Sequence, residues 1–179
     1  MTNSPVSNPP LQWSIDVHSV HAPLSLSYEA NAQEREALKR YAELEDVSRF
    51  ASELKVSPLS GQRFKVTGTL KADAVQASVV DLTPIPARIE EEFSAEFWPQ
   101  ELIEERAGQA ISFEDDSPEP VVAGRIAIGE FLCELFSVSL DPYPRNAGDE
   151  FSWKPDETET GVTPFAALER LRQKKPDGG

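Results

Sequence analysis

The sequence predicts an α+β fold: a mostly antiparallel, twisted or barrel-like sheet of about five to seven strands, with an early helix, a long apolar helix and a short C-terminal helix. Three observations predict it. Period-two alternation recurs through residues 11–28, 50–75 and 89–98. Apolar residues fall at helical spacing in separated stretches before and after that region. Finally, the strands follow one another through short turns, which suits a meander better than βαβ units.

Residues 1–10 (MTNSPVSNPP) are rich in Ser, Asn and Pro and are expected to form a disordered tail. A strand-rich core is expected over 11–98. In Leu11–Val20, Trp13, Ile15 and Val17 share one face while Ser14, Asp16 and His18 share the other, as in a half-buried strand. Pro23 interrupts it, and Leu24, Leu26 and Tyr28 alternate again. Asn31 with Glu34 three residues on makes a capping-box pair, and Ala37, Leu38, Tyr41 and Leu44 form a stripe, predicting a helix over 32–44.

Strands follow at Phe50–Val56 and Phe64–Val75. On the second, Phe64, Val66, Gly68, Leu70, Ala72 and Ala74 share one face, and Lys65, Thr67, Thr69, Lys71 and Asp73 the other. Gly68 is expected to mark a bend or bulge. Val79–Leu82 is expected to continue the strand, Pro84 and Pro86 to form a stiff corner, and Ile89–Trp98 to alternate again.

Residues 99–123, dominated by Glu and Asp, read as an acidic linker. Within 124–145, Ile128, Phe131, Leu132, Leu135, Phe136 and Val138 build an apolar face on a helix expected over 126–140, which Pro142 and Pro144 terminate. Residues 146–179 read as a polar tether followed by a helix over 164–173. Pro164 opens that helix, Phe165, Leu168 and Leu171 line one side, and Arg170, Arg172, Lys174 and Lys175 complement its C-terminal dipole. The whole is expected to be a single domain.

Charge and composition narrow the function. The net charge of −14 repels phosphate backbones, so DNA binding is not expected and a basic protein partner is favoured. Cys133 is the only cysteine, which excludes an intramolecular disulfide and a cysteine-based zinc site. His18 and His21 on a strand point to opposite faces, which is awkward for shared metal ligation. No nucleophile elbow and no glycine-rich phosphate loop is present, so neither catalytic residues nor a cofactor is expected. With no basic n-region followed by an apolar run, and no stretch long enough to span a bilayer, a cytoplasmic protein without a membrane partner is expected.

Two groups of residues remain as candidate partner contacts. Phe165, Leu168 and Leu171, with Pro164, Arg170 and Arg172, could dock into a partner's groove or back onto their own sheet. Arg63, Lys65 and Lys71 form a candidate basic patch that, together with the C-terminal cluster of Arg170, Arg172, Lys174 and Lys175, could touch RNA.

Several motifs then occur in a fixed order. They are Trp13-Ser14-Ile15-Asp16-Val17, Ala32–Leu38, Val66–Ala72, Leu82-Thr83-Pro84-Ile85-Pro86 and Ile89–Phe93. The acidic linker, the Ile126–Leu140 helix, Asp141-Pro142-Tyr143-Pro144 and Pro164–Leu168 complete the set. The ordered set resembles the YceD family, named for large ribosomal RNA subunit accumulation, and in particular its alphaproteobacterial branch. Many members of that family carry a Cys-x-x-Cys pair after the glycine-containing strand. The matching positions here are Ser78 and Asp81, so metal binding does not carry over. The resemblance implies a non-enzymatic factor for large-subunit ribosomal RNA accumulation, processing or assembly. The acidic charge favours a basic ribosomal or assembly protein as its partner, with direct binding of ribosomal RNA as the alternative.

Overall fold

A computed structural model describes residues 9–107 and 117–146. The chain divides into two units, Met1–Ala147 and Gly148–Gly179, and the described residues all fall in the first. The helix expected over 164–173 lies outside them.

The fold is α+β, with its main sheet built on β3 (Asp46–Pro58), β4 (Phe64–Ala77) and β5 (Pro84–Pro99). These three long antiparallel strands are flanked by β2 (Leu24–Glu29) and β6 (Glu119–Val121), in the order β2-β3-β4-β5-β6. The sheet is open and mixed, because β6 runs parallel to β5. A barrel-like closure is therefore corrected. The sheet expected to be mostly antiparallel is a mixed one: β2 to β5 pair antiparallel, and β6, which follows a helix in the chain, adds the parallel pair. A separate two-stranded ladder joins β1 (Ile15–Asp16) to β7 (Arg125–Ile126).

Alternation places Phe50, Leu54 and Val56 of β3, Val66, Leu70, Ala72 and Ala74 of β4, and Ile89, Phe93 and Phe97 of β5 in the core. Helix α3 (Ile128–Ser139) covers this face, burying Leu132, Cys133 and Phe136, and Phe136 meets Phe50 edge-on at 5.4 Å. At twelve residues α3 is shorter than the stretch expected over 126–140. Leu140 already has extended backbone, φ −73° and ψ 148°, before the prolines.

Helix α1 (Ala32–Tyr41) starts as its sequence dictates: Asn31 Oδ1 accepts from the N–H groups of Gln33 and Glu34, and the Glu34 carboxylate accepts from the Asn31 N–H at 2.8 Å. It ends before Leu44, where Glu43 turns left-handed at φ 53°.

Several local expectations are corrected. The 11–20 segment contributes only a two-residue strand, followed by a 3-10 turn at Val17–Ser19 capped by Asp16. Residues 79–82 form a turn with Leu82 at φ 63°, and Pro84 and Pro86 lie inside β5. An edge strand tolerates proline, because one side of its backbone needs no ladder donor. Gly68 marks no bulge; the irregularity sits between Val47 and Arg49. Gly68 instead permits close approach, since a Cβ there would lie 2.4 Å from the Glu53 carbonyl oxygen. The stretch read as a linker holds two elements, α2 (Gln100–Ala107) and β6, the first half-burying Leu102 and Ile103.

Gly129 fixes where the N-terminal segment crosses α3. Its N–H donates to the Trp13 carbonyl at 2.8 Å, and a Cβ at this position would meet the Leu11 carbonyl oxygen at 2.4 Å. Helix propensity alone predicts that Gly129→Ala stabilises by about 1 kcal/mol. The backbone clash reverses the sign, so the variant is expected to lose about 1–3 kcal/mol in urea unfolding.

Candidate functional site

β5 leaves an open edge on the sheet. β6 pairs only with Phe97–Pro99, so residues 85–96 have β4 on one side and no strand partner on the other among the described residues. A cleft of about 820 Å³ lies where the edge meets β6. Residues 92–96 line it in unbroken succession. Successive side chains point to opposite faces, so only the edge of a strand can line a cleft in that way.

Phe93, Phe131 and Leu135 supply its apolar wall, with Phe131 edge-on to Phe93 at 5.4 Å and to Phe97 at 5.8 Å. Trp98 stands at its end, its indole N–H donating to the Glu96 carboxylate at 2.8 Å. The guanidinium groups of Arg63 and Arg106 lie 5.1 Å and 5.2 Å from the Trp98 ring, within cation–π range.

The rim is acidic. Glu119 at the start of β6 is half-buried, and burial, then the charges of Glu134 and Glu130 on α3, push its carboxyl above the usual range. Glu92 lies exposed on the solvent side of β5. In cross-strand register it shares a row with Thr69 and Glu53, so no cation stands opposite it.

The candidate basic residues are dispersed. Arg63 precedes β4, donates to the Ser60 carbonyl at 2.9 Å and turns onto Trp98. Lys65 and Lys71 are on the solvent face as expected, but six residues apart, a separation of about 20 Å along a strand. Lys71 pairs with Glu90 at 2.8 Å, which holds the Glu90 carboxyl below its ordinary range, and Lys65 stands opposite Glu96. Asp73 lies between Arg49 and Arg88 in the same way. The face is thus a set of complementary rows rather than a cationic surface. Pro164, Phe165, Leu168, Arg170, Leu171 and Arg172 lie outside the described residues.

The remaining reactive side chains have structural settings. Burial pushes the Cys133 thiol up to about 12, so it is not a thiolate at neutral pH. Ser78 is buried, its Oγ accepting from the N–H groups of Val80 and Asp81 at 3.2 Å and 3.4 Å. Asp81 accepts from the Thr83 hydroxyl at 2.8 Å and from its N–H at 3.1 Å, and these bonds hold its carboxyl low. The two positions that match a cysteine pair therefore pin a turn. His18 and His21 are exposed, and no group of three potential metal ligands occurs among the described residues.

The cleft was not foreseen from the sequence. Its signal was the Glu90-Glu91-Glu92 run on a strand, which puts carboxylates on both faces and is suited to an edge. No protein-family model, curated protein or solved structure matches this chain. No helix among the described residues is long and apolar enough to cross a membrane.

Folding raises the Glu119 carboxyl above its ordinary 4.5, so the charged form is the disfavoured one. The associated penalty is absent below that ordinary value and grows as pH rises through the raised one. Glu119→Gln is expected to stabilise the chain at neutral pH, with the gain fading below about pH 4 in parallel denaturant titrations.

Proposed function

We propose that this chain is a non-enzymatic, cytoplasmic ribosome-biogenesis factor that supports large-subunit ribosomal RNA accumulation by docking a basic ribosomal or assembly protein. The process comes from the ordered motifs that resemble the YceD family. The mode of action comes from electrostatics, and the pairing of Lys71 with Glu90, of Lys65 opposite Glu96 and of Arg63 with Trp98 supports it most directly. Lys71 and Arg63 are held by groups of the chain itself, while the carboxylates of Glu92 and Glu119 border the cleft beside Phe93, Phe131 and Leu135.

Direct binding of ribosomal RNA is the second reading. It requires the basic patch to be available, and Lys71 would have to leave Glu90 to reach a phosphate. Both partners of that pair are exposed, so solvent screening makes the exchange energetically cheap. Its larger obstacle is the net charge of −14, which opposes the approach of a polyanion at long range.

Affinity capture from a cell extract, with and without RNase, separates the two. Protein docking predicts large-subunit proteins of high isoelectric point that persist after RNA digestion. Loss of every partner on digestion sinks it in favour of RNA binding.

A further inference from the structure

The edge of β5 carries a more specific assignment, which rests on the protein-docking reading above. From the open edge, the apolar wall and the exposed Glu90-Glu91-Glu92 run together, we infer that residues 85–96 of β5 form a strand-addition site. Its occupant is an extended segment of a partner protein in which basic and apolar residues alternate.

The backbone comes first. A strand paired on one side presents unpaired N–H and C=O groups on the other, which template an added strand. β5 is long, and among the described residues only the three of β6 pair with it on that side, so a segment of six or seven residues can pair before it.

The side chains then define the pattern. An added strand alternates its side chains between the two faces of the sheet. On the α3 side they meet Phe131 and Leu135, which suits apolar groups. On the solvent side they meet the row containing Glu92, which has no opposing cation, and beyond it Glu90, whose carboxylate shares Lys71. Lysine or arginine fits there. Glu119 strengthens the preference at the β6 end, because a nearby cation relieves the repulsion from Glu130 and Glu134.

The occupant is a protein strand rather than a nucleic acid, since the edge offers peptide hydrogen bonds in strand register and its exposed Glu90-Glu91-Glu92 run repels phosphate. An acidic segment, including one from this same chain, is disfavoured by the same carboxylates.

The test uses the full chain and a capped heptapeptide of alternating lysine and valine, with a glutamate–valine peptide as the control. Binding is followed by amide exchange and chemical-shift changes in labelled protein. The lysine peptide is expected to bind, to slow exchange at amides within residues 85–96, and to weaken with salt. The double variant E90K/E92K, both sites being exposed, is expected to bind about tenfold more weakly. Protection confined to the β2 edge, equal binding of the glutamate peptide, unchanged affinity in E90K/E92K, or edge amides already protected in the free chain would each overturn the assignment.

Failure here is separable from failure of the broader reading. If the chain retains RNase-resistant basic partners and E90K/E92K retains them equally, docking stands and the β5 edge is wrong. If the peptide adds to β5 but no basic protein is captured from extract, the edge stands and the ribosomal reading is wrong.

Discussion

The apolar face of β3, β4 and β5 must be covered, and α3 is what covers it. Phe136 against Phe50 and Phe131 against Phe93 and Phe97 tie the helix at once to β3 and β5, the strands on either side of β4. Most of the remaining architecture follows from seating that helix. Gly129 gives up its Cβ so that the backbone of Leu11 to Trp13 can lie across α3. The β1–β7 ladder then anchors the same segment, and Ala123 and Gly124, both at positive φ, make the tight turn that leads from β6 to β7 and so into the helix. β6 runs parallel to β5 and follows α2 in the chain, and it is short because the hairpin begins at the next residue, Val122. The open edge of β5 is therefore a consequence of how the cover is attached.

Net charge and charge placement make separate contributions. A value of −14 sets the long-range preference for cationic partners, yet it does not locate them. The cross-strand rows of the solvent face neutralise much of the local field, as Lys71 with Glu90 and Asp73 between Arg49 and Arg88 illustrate. An acidic protein can thus have an almost neutral broad face. Glu92 on β5 and Glu53 on β3 share a row that holds no cation.

The fold was legible where a local rule dominates. The Asn31–Glu34 capping box and the alternation of Phe64 to Ala74 translate directly into α1 and β4. It was illegible where tertiary position overrides local preference. Pro84 and Pro86 signal a corner in isolation, but an edge strand accommodates them. The acidic composition of 99–123 hid α2, whose Leu102 and Ile103 gain cover only from the folded sheet. A parallel three-residue strand has no pattern long enough to read. The site was harder still. Arg63, Lys65 and Lys71 stand close in sequence, yet sheet geometry sends them to separate partners. The cleft draws on β5, β6 and α3, which no spacing in the sequence connects.

The central claim is that the chain recognises basic protein and not bare RNA. Fluorescence anisotropy of the labelled chain, titrated side by side with purified basic large-subunit proteins and with protein-free large-subunit ribosomal RNA at physiological salt, tests it most directly. The account predicts saturable binding to at least one of the proteins and none to the RNA. Saturable binding to the RNA alone, falling steeply as salt rises, would contradict it.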